Sequence, residues 1–181
     1  NSLGNTSGNS TAAAASIATS RRNRPYSGPV VDASFYYNDK FVVLGNRNHV
    51  FMYNYRCESV HAGNDLKRLQ SSGTYKLAHH WSFPQARSVT AVECVNGILS
   101  PLVFCATSSH ALAICDTVSG TVARTIENAH DRAIHSIALP QPSVCVQLDQ
   151  SSYNIFATAA TDNCVAVWDV RAPAVCVRYT G

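Results

Sequence analysis

Short runs of apolar and β-branched residues, separated by turn-forming residues, recur along the chain from residue 28 onwards. The pattern is clearest over residues 154–181. There, 155–160 is small and apolar, Thr161-Asp162-Asn163 supplies three turn formers, and 164–168 resumes the β-branched and aromatic pattern. Runs of this length joined by a tight turn are typical of a β-hairpin, and a further strand is predicted at 174–179.

Three similar units follow one another from Gly28, and each reads as four strands separated by turns. We place the units at residues 29–84, 88–129 and 130–181. The predicted strands are 30–37, 41–44, 49–55 and 74–81 in the first unit, 88–95, 102–106, 111–116 and 121–126 in the second, and 133–139, 155–160, 164–168 and 174–179 in the third. This organisation predicts an all-β repeat architecture.

Four residues of the third unit form its most specific pattern. His130 precedes the first strand, Thr158 lies on the second, Asp162 lies in the following turn, and Trp168 closes the third strand, directly before Asp169. Ten residues separate Thr158 from Trp168, and six separate Asp162 from it. These residues at this spacing resemble the WD-repeat family, whose repeats each form one four-stranded blade of a β-propeller. The resemblance implies an incomplete β-propeller of about three blades, in which these four side chains form a structural tetrad.

The tetrad has a physical purpose inside a blade, because an unpaired buried polar group costs about 1–3 kcal/mol. A histidine between a carboxylate and a hydroxyl, with the hydroxyl also reaching the indole N–H, satisfies all four groups together. His130, Thr158 and Asp162 are also the residue types of a nucleophilic triad. We favour the structural role, since a threonine on a central strand has neither substrate access nor oxyanion donors, and we predict no catalytic residue.

The first two units depart from the tetrad pattern. The matching positions hold Cys105, Ser109 and Cys115 in the second unit, and Val43, Arg47 and Tyr53 in the first. Neither set can build the polar network, so we expect apolar packing to hold those two units together.

The amino-acid composition limits the cellular compartments and the functional classes to which the protein could belong. Hydrophobic residues make up 46% of the 181 residues and the net charge is only +3, which does not by itself indicate a nucleic-acid-binding protein. The cysteines are odd in number, dispersed and free of any Cys-x-x-Cys spacing, which favours a reducing compartment and argues against disulfides and structural zinc. No run of about 18 apolar residues predicts a membrane span. We therefore expect a cytoplasmic protein (a nuclear one is possible) without metal or cofactor.

Residues 1–27 form a low-complexity arm of Asn, Ser, Thr, Gly and Ala that ends in an arginine cluster. Such a segment cannot bury enough apolar surface to offset its ordering entropy, so we expect a disordered arm. Arg21, Arg22 and Arg24 with Tyr26 leave open a nucleic-acid-associated function, but the stripe is short and its aromatic residues do not interleave.

Two insertions lengthen the units, at residues 56–72 and 141–153. Long loops on a rigid scaffold are favoured recognition sites. The first insertion is the most highly charged part of the folded region and is our candidate partner-binding loop, although it could equally lack a partner. Its charged and titratable residues are Arg56, Glu58, His61, Asp65, Lys67 and Arg68.

These features favour a non-catalytic scaffold that binds other proteins, which is what the family resemblance implies. An enzyme is the least favoured alternative, because no paired carboxylates, metal cluster or nucleophile elbow is found. His79-His80 lacks other ligands at metal-binding spacing and is expected at a strand end on the surface. Three blades do not close a ring, and Tyr179-Thr180-Gly181 stops where the family places the next glycine–histidine pair. We therefore expect the remaining blades in a longer chain.

Overall fold

The computed structural model describes residues 28–58, 72–98, 100–140 and 153–181. The described residues form three groups of β-strands, and none of their helices is long and apolar enough to cross a membrane. In chain order the strands are β1 (Val30–Tyr36), β2 (Phe41–Asn46), β3 (His49–Glu58), β4 (Ser72–Ser82), β5 (Val89–Cys94), β6 (Leu102–Thr107), β7 (Leu112–Asp116), β8 (Thr121–Ile126), β9 (Ile134–Ala138), β10 (Ile155–Ala160), β11 (Cys164–Asp169) and β12 (Val175–Thr180).

Each group is a four-stranded antiparallel sheet whose strands pair in chain order, β1 to β4, β5 to β8 and β9 to β12. We call these sheets the first, second and third blades. In the second and third blades, the hairpin between the two middle strands has a residue with positive φ in its turn, His110 and Asn163 respectively. The predicted fold class, an all-β, incomplete β-propeller of about three four-stranded blades, is confirmed.

The blades are joined at their first strands, since β1 lies against β5 and β5 lies against β9. Asp32 of β1 accepts a hydrogen bond from the Val92 amide of β5 at 2.8 Å. Ser34 donates its hydroxyl proton to the Glu93 carboxylate, also at 2.8 Å. These polar contacts fix the first strand of one blade against the first strand of the next.

The core lies between the blades rather than within them. Val43, Val89 and Cys105 belong to the cluster between the first and second blades. Phe104 and Phe156 belong to the cluster between the second and third, and their ring centroids are 4.6 Å apart. Because side chains alternate across a strand, the second blade contributes apolar residues to both clusters.

The hairpin of β3 and β4 is longer than predicted. Arg56 pairs with Thr74, and Glu58 pairs with Ser72, so residues 56–58 and 72 of the predicted loop lie on strands. The prediction treated a run of charged residues as loop. A strand tolerates such residues where its faces are solvated, and each added pair satisfies further backbone groups.

The assignment of Val43 to the hydroxyl position of the first blade was wrong. Val43 pairs with Met52, so their two side chains lie on the same face of the sheet. Tyr53 follows Met52 in the chain and therefore lies on the opposite face. Seven residues lie between the paired Thr158 and Ala166, and seven between Cys105 and Ala113, but only six lie between Leu44 and Phe51, so the turn of the first blade is one residue shorter. Counting back ten residues from Tyr53 therefore gives a residue one place away from the correct one. Leu44 occupies the position that matches Thr158 of the third blade.

The outer face of the third blade is apolar and exposed. Ile155, Val165, Val177 and Tyr179 are between 40% and 61% exposed. Val165 lies directly opposite Tyr179 across β11 and β12, so these side chains are neighbours on one face. Contiguous exposed apolar surface of this kind favours association.

We predict that the 181-residue chain self-associates or is poorly soluble, and that Val165→Lys increases its monomer fraction. Light scattering coupled to size-exclusion chromatography between 10 and 100 µM, roughly the range in which exposed strand surfaces associate, measures this fraction. Val118→Lys is the matched control, because Val118 is 82% exposed in a turn outside this face. A monodisperse wild-type monomer that melts reversibly would contradict the prediction.

Candidate functional site

The four residues of the predicted tetrad lie in the third blade and in the connection that precedes it. His130 lies in the connection between β8 and β9, Thr158 on β10, Asp162 in the turn after β10, and Trp168 on β11. The register pairs Thr158 with Ala166, two residues before Trp168, so Thr158 and Trp168 lie on the same face. This face packs against the second blade.

The structure brings all four side chains together. Thr158 Oγ1 lies 2.8 Å from His130 Nε2 and accepts a hydrogen bond from Trp168 Nε1 at 2.8 Å. His130 Nδ1 lies 3.0 Å from Asp162 Oδ2. An indole can only donate and an ionised carboxylate can only accept. A His130 ring that donates from Nδ1 and accepts the Thr158 hydroxyl proton at Nε2 satisfies all four groups.

Asp162 also organises the turn in which it lies. Its carboxylate accepts hydrogen bonds from the Asp131 and Cys164 amides, each at 3.0 Å. Burial raises the pKa of the Asp162 carboxyl, but the two amides and His130 outweigh this, and the net pKa is below its ordinary value. The carboxylate is thus held ionised, as the tetrad requires.

The lowered pKa of Asp162 predicts a loss of stability in acid. A carboxyl whose pKa is lower in the folded state contributes fully above the unfolded value of about 3.9, and this contribution disappears as pH falls through the folded pKa. We expect the difference in urea midpoint between wild type and Asp162→Asn to be constant from pH 7 to pH 5 and to shrink below about pH 4. An unchanged difference at pH 3 would contradict this role for the carboxylate.

The geometry gives the tetrad no means of acting as a nucleophilic triad. Thr158 is 1% exposed, and its oxygen is already engaged by both His130 and Trp168. A nucleophile needs substrate within reach of its oxygen and free donors for the resulting oxyanion. The arrangement can hold β10 and β11 against the preceding connection, which is a structural role.

The second blade places two cysteines at the corresponding positions. Cys105 and Cys115 have the register of Thr158 and Trp168, and the two cysteine side chains hydrogen-bond to each other. This hydrogen bond and burial raise the pKa of the Cys105 thiol. Ser109 Oγ lies 2.9 Å from Thr107 Oγ1 and so bonds within its own turn.

The described cysteines predict selective alkylation. Cys94, Cys105, Cys115, Cys164 and Cys176 are free, and only Cys176 among these five is exposed. Burial raises the pKa of Cys94 to about 12, so its reactive thiolate is scarce. We expect iodoacetamide at pH 8 to modify Cys176 first among these five, as followed by peptide mass spectrometry. Equal rates at Cys176 and Cys105 in the folded protein would contradict the packing.

Only a part of the candidate partner-binding loop lies within the described residues. Arg56 is exposed on β3, whereas Glu58 is placed only as backbone at the end of that strand. The other candidates, His61, Asp65, Lys67 and Arg68, lie outside the described residues, as do Arg21, Arg22 and Arg24 of the arm.

Two histidines form a cross-strand pair that the sequence analysis did not find. His80 Nε2 lies 3.0 Å from His49 Nδ1, and the His80 ring stacks on Phe51. Burial and the nearby His49 lower the pKa of His80. Only the pairing of β3 with β4 reveals this contact, since 31 residues separate the two histidines. Within the part of the chain that the structure describes, no three His, Cys, Asp or Glu side chains are grouped to hold a metal ion.

No protein-family model matches this sequence. Two crystal structures of Sqt1 from Chaetomium thermophilum, a WD-repeat propeller, are similar in fold. The structure of Sqt1 bound to the N-terminus of the ribosomal protein L10 has a TM-score of 0.62 and 12% sequence identity, and the other Sqt1 structure has a TM-score of 0.63 and 12% identity. Each comparison covers 84% of this chain and 34% of the Sqt1 chain. The chain thus spans about a third of these proteins, and the predicted WD-repeat resemblance is confirmed at the level of fold.

Proposed function

We propose that this protein is a non-catalytic scaffold that mediates protein–protein interactions, without a cofactor, in the cytoplasm. One observation carries the proposal: in the triad-like set of His130, Thr158 and Asp162, the histidine and the threonine are buried and all three side chains are engaged in structural hydrogen bonds. A fold of this kind presents loops on a rigid frame, and such loops are suited to binding other proteins. Sqt1, a protein of similar fold, was crystallised with the N-terminus of another protein, which supports this class of function.

We propose that the connection around residues 56–72 contributes to partner binding. It joins β3 and β4, which are ten and eleven residues long. Arg56 is exposed and forms no ion pair with another described residue. Exposed charges of this kind set the rate and specificity of association more than its affinity.

Affinity capture from cell lysate with quantitative mass spectrometry tests the proposal. We expect a reproducible set of proteins that the triple variant Arg56→Glu, Lys67→Glu, Arg68→Glu loses at least fivefold. Arg132→Glu is the control, because Arg132 is exposed in a different connection. Asp162→Ala, which disrupts the third blade, identifies proteins that bind only misfolded chain. Recovery of chaperones alone would contradict the scaffold function.

The same capture experiment distinguishes direct protein binding from the alternative function, binding to nucleic acid. If nuclease treatment removes the captured proteins and binding falls steeply with salt, the arm residues Arg21, Arg22 and Arg24 would become the contact instead. Insensitivity to nuclease supports direct protein contacts.

A narrower proposal concerns the full protein. The order of a first unit at 28–55, a degenerate second unit and a complete Trp-Asp unit resembles part of WD repeat-containing protein 27. We propose that further blades complete the ring in a longer chain. The full-length transcript tests this directly, because it would contain further units of the same strand pattern or would lack them.

A further inference from the structure

A cavity of about 310 Å³ lies between the first and second blades. One wall is the connection from β4 to β5, and the other is formed by β6, β7 and β8. Ligand sites begin at about 300 Å³, so the cavity is large enough for a side chain or a small molecule. Its residues with polar or aromatic side chains include Phe83, Gln85, Thr107, Ser109, Thr125 and Glu127.

The cavity lies where the second blade has a small residue and the third blade has a large one. In the third blade, the long side chain of Arg178 extends from β12 to the connection that precedes the blade. The strand registers place Thr125, which lines the cavity, at the position of Arg178. A hydroxyl in place of a guanidinium leaves this volume unfilled.

The third blade also shows which group fits such a space. Arg178 Nη2 donates a hydrogen bond at 2.8 Å to the Ala129 carbonyl, in the connection that precedes the third blade. The guanidinium thus joins the blade's outer strand to the preceding connection. At the same position of the second blade, Thr125 is too short to span the cavity.

The lining of the cavity suits a cation. Ser109 and Thr125 present hydroxyl groups, and Gln85 presents an amide. Glu127 is exposed at the end of β8 and forms no ion pair with another described residue. The half-buried ring of Phe83 offers a surface on which a planar cation can stack. A guanidinium uses an aromatic face and several acceptors at once, whereas an ammonium ion is a compact point charge.

We propose that this cavity is a binding site for an arginine side chain of a partner protein, which fills the space that Arg178 fills within the third blade. The inference rests on the proposed scaffold function, and it names the chemistry that one part of the surface recognises. The arginine would stack against Phe83, with its guanidinium directed to Glu127 and the threonine and serine hydroxyls.

Saturation-transfer NMR with the 181-residue chain tests the site. The probes are N-acetyl-arginine amide and N-acetyl-citrulline amide, which has nearly the same shape but a neutral urea group. We expect saturable transfer to the arginine δ-methylene protons with a dissociation constant on the order of 1 mM. Transfer to citrulline should be at least about fivefold weaker, because it cannot pair with Glu127. Equal signals from the two probes would overturn the proposal.

Two variants and a control locate the binding. Thr125→Arg supplies the guanidinium from the chain itself and should abolish transfer, whereas Thr121→Arg, exposed on the same strand outside the cavity lining, should leave it unchanged. Glu127→Gln tests the site even if Thr125→Arg fails to fold, and should weaken arginine binding about two- to fivefold. Undiminished transfer in Glu127→Gln or in folded Thr125→Arg would overturn the assignment. Failure of these tests with partner capture intact refutes this inference alone, and unchanged partner recovery by the loop variant refutes the loop proposal.

Discussion

Trp168→Ala is expected to lower the free energy of unfolding of the third blade by about 3–5 kcal/mol, the usual cost of truncating a buried aromatic residue. Trp168 is 3% exposed, and its ring stacks near-parallel on Phe156 in the core between the second and third blades. The substitution opens a cavity there and removes the indole donor from Thr158. Denaturant titration followed by far-UV circular dichroism measures the change.

Trp168→Phe separates packing from hydrogen bonding. The phenyl ring keeps most of the contact with Phe156, while the bond to Thr158 is lost. Thr158 retains its contact with His130, so no buried donor is left without a partner, and a loss of about 0.5–1.5 kcal/mol is expected. If Trp168→Phe cost as much as Trp168→Ala, the indole hydrogen bond rather than ring packing would dominate.

Asp162→Ala has the second large expected effect, a loss of about 3–5 kcal/mol, as for removal of one member of a buried polar pair. Three donors lose their acceptor at once: the His130 ring, the Asp131 amide and the Cys164 amide. Hydrogen exchange should accelerate across β9 to β12 and remain unchanged across β1 to β3, because repeat proteins lose structure unit by unit.

Asp169→Asn provides the matched control for Asp162. Asp169 also has a lowered pKa, about 2, because it pairs with the side chain of Arg171, but that partner is 60% exposed. An exposed pair contributes little to stability, so the unfolding midpoint should move far less than with Asp162→Ala. Equal effects of the two substitutions would mean that loss of negative charge, rather than the buried network, explains the result.

The strands and the tetrad positions were predictable because both depend on local information. Alternating apolar residues and turn formers identify each strand, and the tetrad residues keep a fixed spacing around one three-residue turn. The same counting placed Val43 wrongly, because the turn between β2 and β3 is one residue shorter and the side-chain period of a strand is two. The extension of β3 through Glu58 was missed because solvated strand ends resemble charged loops.

The sequence alone determined the all-β class, the repeat of four-stranded units and the residue types of the tetrad. These features depend on strand periodicity and turn chemistry, which act over a few residues. The tertiary structure alone decided which face each side chain occupies, which histidines meet, and where a cavity lies. Those features depend on register and on packing between blades. Thr125 leaves space only because the connection from β4 to β5 lies opposite it, and local pattern cannot reveal that neighbour.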